Sequence, residues 1–249
     1  MGEAYLFLSG KGGTGKTTLA TSLALALAKA GNRTVLVDAD VGLRCADLLL
    51  GMENEILYDL SDVAENRCTL NQALARHPGC RSLGVLSAPQ TLFPSQVRKR
   101  SLEDMIAELR ENNDFVLIDC PAGLGRGLKN VWGAAQEAVM VTTPDDAAIR
   151  AAERLSQLLF EKRSIHPRLL LNRADRTLIA VHEERRPSVI AQQTDMELLG
   201  VIPDSPDVYR ALLMHKTALE SDSPRVRRAL QRTADRLSGT PRRLPRYCR

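Results

Sequence analysis

Seven segments of the chain are apolar at nearly every position: AYLFLS (4–9), TVLVD (34–38), LGVLSA (83–88), FVLID (115–119), AVMVTT (138–143), RLLLN (168–172) and LLGVIP (198–203). Strands with one wet face alternate apolar and polar residues, whereas unbroken runs suit strands covered on both faces, as in a parallel sheet. Between the runs lie stretches with helical spacing: TTLATSLALALAKAG closed by Gly31 as a helix C-cap, residues 95–111, and residues 145–162. Strands alternating with helices predict an α/β fold, doubly wound, with a mostly parallel sheet and helices on both faces. Such folds bind ligands beyond the carboxyl ends of their strands. With no internal repeat or long linker, residues 1–239 read as one domain and 240–249 as a basic, proline-containing C-terminal tail.

Composition narrows this little. At 249 residues, 44% apolar and 26% charged, the chain is long enough to bury a large core without disulfides. The five cysteines show no CxxC spacing and are expected as reduced thiols in a cytoplasmic protein. The start lacks the basic and cleavage features of a leader, and the longest apolar run, residues 23–28, is too short to span a bilayer. Aromatics at 4% argue against stacking platforms for bases or sugars.

Charge placement adds more. Of the net +4, residues 221–249 contribute +7 through nine arginines against Asp222 and Asp235, leaving −3 for the first 220. A basic end on a mildly acidic body is either a solvated terminus or a surface for a polyanion, lipid or nucleic acid. The stripe Val226, Leu230, Thr233 and Leu237 reads as the buried side of a last helix docked on the domain, with a weak charge-driven surface contact as the other reading.

The chemistry is concentrated in LSGKGGTGKTTLA. Residues Gly10 to Thr17 satisfy G-x-x-x-x-G-K-[ST] between a predicted strand and a predicted helix, the context that a phosphate-binding loop requires. Backbone N–H groups of Gly12, Gly13, Thr14, Gly15, Lys16, Thr17 and Thr18 are expected to cradle phosphates at a helix N-terminus. Lys16 is expected on the β- and γ-phosphates and Thr17 on Mg²⁺. Asp119, ending FVLID, is expected near Mg²⁺; Asp40 is expected to orient the attacking water, and Asp38 to support the metal or the switch geometry. The guanine-specificity pattern is absent, since Asn172 is followed by Arg173, Ala174 and Asp175, so Asn172, Pro203 and Asp204 are read as adenine contacts. The expected cofactors are ATP and Mg²⁺. Lys11, five residues ahead of Lys16, is either a solvated loop lysine or a second charge aimed at phosphate.

SGKGGTGKTT resembles the KGGxGK[ST][ST] signature of the MinD/ParA family of deviant Walker A ATPases, and the segment from LVDADVGLRCADLLLG to LNQAL is similar to the MinD branch. LIDCPAG, TTPDDAAIRAAERL and LLGVIPDSPDV extend the likeness from about Tyr5 to about Leu237. The resemblance implies an ATP-dependent homodimer in which Lys11 reaches the phosphates of the partner's ATP. It also implies slow hydrolysis, a role in division-site selection, a MinC-like inhibitor, a MinE-like activator and a peripheral anionic membrane on the inner face of the cell membrane. Two features depart from the pattern: Cys45-Ala46 stands where Asn-Leu is usual, and Pro241 and Pro245 interrupt the terminal amphipathic helix, leaving Leu244 and Tyr247 as the residues able to insert. A DNA-partition ATPase that places its basic tail on nucleic acid is the alternative, and a flagellar-number regulator is a third.

Overall fold

The structure, a computed structural model, describes residues 1–41, 44–89, 99–245 and 248. In chain order, β1 (Glu3–Leu8) leads into α1 (Lys16–Lys29) and β2 (Thr34–Asp38). Three short helices follow, α2 (Ala46–Leu49), α3 (Leu60–Ala64) and α4 (Leu70–Ala73), then the hairpin of β3 (Ala75–His77) and β4 (Cys80–Leu86). Next come α5 (Lys99–Asn112), β5 (Phe115–Asp119), α6 (Arg126–Val131), β6 (Glu137–Thr142), α7 (Asp146–Arg163) and β7 (Arg168–Ala174). The chain continues through α8 (Arg176–Val181), α9 (Pro187–Gln193), β8 (Leu198–Pro203), α10 (Pro206–Leu213) and α11 (Pro224–Leu237).

The strands form one eight-stranded sheet in the order β3-β4-β2-β5-β1-β6-β7-β8. Every pairing is parallel except β3 with β4. Alternate residues of β1 enter different cores: Leu6 and Leu8 pack with α5 and α7, Tyr5 and Phe7 with α1 and α11. Both faces of the sheet are therefore covered, which is why the strands are apolar at successive positions. Helix α11 is docked by Val226, Leu230, Thr233 and Leu237, each at most 2% exposed, so this stripe is core. Leu244 and Cys248 pack against the opposite core.

The predicted strands lie within a residue or two of those observed, except that β4 begins three residues early, at Cys80. Gly31, at φ +96°, follows the last turn of α1 and donates its N–H to Ala28. The helix expected at 95–111 is found as α5, with residues 95–98 outside the described set, as is Tyr247. No helix among the described residues is long and apolar enough to cross a membrane. None of the five cysteines forms a disulfide.

Candidate functional site

Strand β1 lies at the centre of the sheet, flanked by β5 and β6, and its carboxyl end feeds the loop before α1. The register pairs Phe7 with Asp119 and Asp119 with Asp38, so the ends of three strands arrive at one level. Two glycines shape the loop. A Cβ on Gly10 would lie 2.3 Å from the Ala151 backbone, so the chain passes under α7 only without a side chain. Gly15 adopts φ +88°, and a Cβ there would meet Asn172 Nδ2 at 2.3 Å. That same Nδ2 donates to the Thr14 carbonyl at 2.8 Å, tying the end of β7 to the loop.

Lys16 begins α1 with its ammonium buried. Its Nζ donates to Asp119 Oδ1 at 2.6 Å, lies 3.4 Å from Thr17 Oγ1 and 4.0 Å from Asp40 Oδ2. Thr17 Oγ1 donates to the other Asp119 oxygen at 2.6 Å. Burial works against the ammonium, but the charge and hydrogen bond of Asp119 outweigh it and hold the Lys16 pKa above its ordinary value. Asp38 is 1% exposed and accepts the N–H groups of Asp40 (3.0 Å) and Ala46 (3.2 Å), organising the turn that carries Asp40. Burial, reinforced by Asp119, pushes the Asp38 carboxyl up to about 7. Burial also raises that of Asp40, which Lys16 opposes.

Lys11 stands apart from this cluster. Its Nζ donates to Asp145 Oδ1 at 2.8 Å in a pair whose side chains are 40% and 50% exposed. Asp145 is the N-cap of α7, accepting from the Ala148 N–H at 3.0 Å and from Thr143 Oγ1. Partial burial acts to raise the Asp145 pKa, yet the bonds from Lys11, Thr143 and Ala148 bring it down to about 2. Sequence reasoning missed Asp145; the aspartate opening a predicted helix in PDDAA was the available signal.

Gly15, Thr18, Asn172, Pro203 and Asp204 line one cavity of about 370 Å³ beside the loop. Arg173, Val208 and Tyr209 join them without having been anticipated. The loop fits an oxyanion: a Cβ on Gly12 or Gly13 would meet nothing within 4 Å, and Thr14 Oγ1 is buried with no hydrogen-bond partner. Among the described residues no cluster of three or more His, Cys, Asp or Glu could hold a metal. Mg²⁺ would therefore rely on Thr17, Asp119, water and phosphate, a set that suits this ion.

A family model described as ParA, NUBPL iron-transfer P-loop NTPase, matches residues 1–238. The chain is 41% identical to septum site-determining protein MinD of Bacillus subtilis over 213 residues, 85% of this chain and 80% of that relative. With MinD of Synechocystis sp. it shares 36% over 204 residues, 82% and 77% of the two chains. Its fold superposes on a chain of the MinC:MinD cell division protein complex of Aquifex aeolicus with TM-score 0.87 and 31% identity, covering 98% of this chain and 99% of that one. Pyrococcus horikoshii MinD, solved as a complex with Mg-ADP, gives TM-score 0.82 at 27% identity over 95% and 96% of the two chains. Loop, sheet order and sequence likeness agree, and the chain belongs to the ParA-type family of P-loop NTPases, in its MinD branch.

Proposed function

We propose that the chain is an ATPase of division-site selection that binds Mg²⁺·ATP, hydrolyses it slowly and uses the γ-phosphate to bring two copies together. The observation that carries this reading is the convergence of Lys16, Thr17 and Asp119 within 3.4 Å of one another at the mouth of the glycine loop, in a chain so similar to MinD. Bound Mg²⁺·ATP supplies an electrophilic γ-phosphoryl group and a cation to balance its charge. Thr17 and Asp119 hold the metal, and Lys16 exchanges a carboxylate partner for phosphate oxygens without losing its proton. Asp40 orients water, and Asp38 fixes the turn beneath it. Gly12 to Thr18 cradle the phosphates, while Asn172, Pro203 and Asp204 hold the adenine. An aspartate is a weak activator of water, which sets the expectation of slow turnover.

Lys11 is the residue that answers to a second copy, exchanging Asp145 for the phosphates of the partner's ATP. A lysine that gains a stronger partner only when γ-phosphate is present makes dimerisation depend on ATP. A MinC-like inhibitor, a MinE-like activator and an anionic membrane are the partners this reading extends to, with 1–239 as the ATPase domain and 240–249 as a basic tail. Sedimentation with ATP, with ADP and without nucleotide, alongside phosphate release, tests it. A dimer is expected with ATP alone, and Asp40→Ala is expected to keep that dimer while stopping phosphate release. A monomer under all three conditions, or unchanged turnover in Asp40→Ala, overturns it.

A further inference from the structure

Along the flank of α11 beside β8, five arginines line one cavity of about 240 Å³: Arg176, Arg225, Arg228, Arg232 and Arg236. Four of them come from α11 at spacings of three, four and four residues. This places them along one helix face over about 16 Å. No carboxylate borders this cavity among the described residues. Among the described residues the side chains of Arg225 and Arg232 form no ion pair or hydrogen bond, and that of Arg228 donates only to the Pro224 carbonyl of its own helix. Arg236, half-buried between them and the sheet, donates to main-chain carbonyls and to Thr233.

Arg236 also lines an adjoining cavity of about 470 Å³ together with Arg168, Arg242 and Arg243, where Glu197 is the one carboxylate among the described lining residues and Arg242 is paired with Asp235. The Arg168 guanidinium there lies 5.4 Å over the Tyr5 ring, and its Nε is buried with no hydrogen-bond partner. Positive charge gathered this densely repels itself in the free protein. The guanidinium fork matches tetrahedral oxyanions through paired N–H donors. The concave shape, floored by Val201, Pro203 and Ala229, suits a compact ligand better than a flat or rod-like polyanion. Neither the glycine loop nor Lys16 lines either cavity, and Pro203 is the one wall residue shared with the proposed adenine cavity, so the arginines themselves lie outside the nucleotide cleft.

We propose that the two cavities joined at Arg236 form a binding site for a compact anion carrying two or more phosphoryl groups. The shared chemistry is a cluster of phosphoryl oxygens, whether from a free oligophosphate or from anionic lipid headgroups. The site goes beyond the nucleotide switch proposed above.

The test is equilibrium dialysis of inorganic tripolyphosphate against the full chain saturated with Mg-ADP, for wild type and Arg228→Ala/Arg232→Ala. Both replaced side chains are exposed, outside the nucleotide cleft and not part of the core. One equivalent is expected to bind to wild type, and the double variant is expected to bind about tenfold more weakly or worse, the effect of losing charge-assisted bonds. A second equivalent that persists in the double variant would mean Mg-ADP had failed to fill the loop, and counts against the nucleotide reading alone. In a second arm, phosphatidylglycerol vesicles are compared with phosphatidylcholine vesicles. Retention on the anionic vesicles alone, lost in the double variant, supports the site with a lipid headgroup as its source. Binding of both probes unchanged by the double variant, binding of neither, or arginine-dependent binding of duplex DNA alone overturns the proposal.

Discussion

Two lysines five residues apart in one loop occupy opposite environments. Lys16 is enclosed, its side chain 5% exposed, against an equally enclosed Asp119, whereas Lys11 and Asp145 meet at the surface. The enclosed pair is committed in the absence of nucleotide: both charges have left water, and each is tolerable only while it faces an opposite charge, Lys16 parting from Asp119 only when phosphate takes its place. The surface pair is negotiable, because water stabilises either partner if the other departs. One loop therefore carries a buried ammonium and an exposed, weakly held one, the contrast on which the proposed nucleotide-gated association rests.

Breaking the enclosed pair has the largest expected effect. Lys16→Ala is expected to weaken ATP binding about 100-fold or more, through loss of charge-assisted bonds to phosphate. It also leaves Asp119 buried and uncompensated, a loss of about 3–5 kcal/mol that denaturant unfolding without nucleotide would reveal. Wild-type affinity in this variant would remove Lys16 from the site. Lys11→Ala separates the two roles: ATP titration is expected to give affinity within about twofold of wild type and unfolding within about 1 kcal/mol. Sedimentation of the same variant is expected to show a monomer with ATP, and a surviving ATP dimer would return Lys11 to the status of a solvated loop lysine.

Asp38 sharpens the contrast through pH. Its carboxyl titrates near 7 when folded and near 3.9 when unfolded, so between these values the folded state binds the extra proton. The favourable contribution is complete below about pH 4, fades as pH rises through about 7, and is then gone. Asp38→Asn is expected to flatten that fall in a series of unfolding curves across the window, and an unaltered slope would assign it to another group. The smallest effect is expected from Asp145→Ala, which removes the cap of α7 at a cost of about 1 kcal/mol in unfolding free energy. A much larger loss would show that the surface pair is also structurally committed.

How far the sequence revealed this arrangement depends on the kind of signal each part leaves. The central strands were legible because burial on both faces forces unbroken apolar runs, and the phosphate loop because its backbone demands glycine at fixed spacing. The three residues Ala75–His77 carry no such pattern, and β3 exists through its pairing with β4. Helices α3 and α4 are too short for periodicity, although Asp59 with Asp62 and Thr69 with Gln72 form capping boxes whose spacing can be read in the sequence. Asp38 and Asp40 were visible as acids at a strand end, but the division between a buried organiser and a partly buried acid required the fold. The arginines of α11 were counted as net charge, and only the docking of the opposite face shows that four of them border one cavity.

The hairpin at the margin of the sheet has a consequence for how the protein behaves in a crowded solution. Strand β4 runs for seven residues and is rich in apolar side chains, while β3 covers it with three residues and shifts register between Arg76 and His77. A margin that is short, irregular and charged at Arg76 offers a poor template for a strand from another molecule. Without β3, a long flat row of amide and carbonyl groups on β4 would stand open to intermolecular pairing. These three residues thus occupy the margin of β4 that another molecule's strand would otherwise pair with, whatever the nucleotide state.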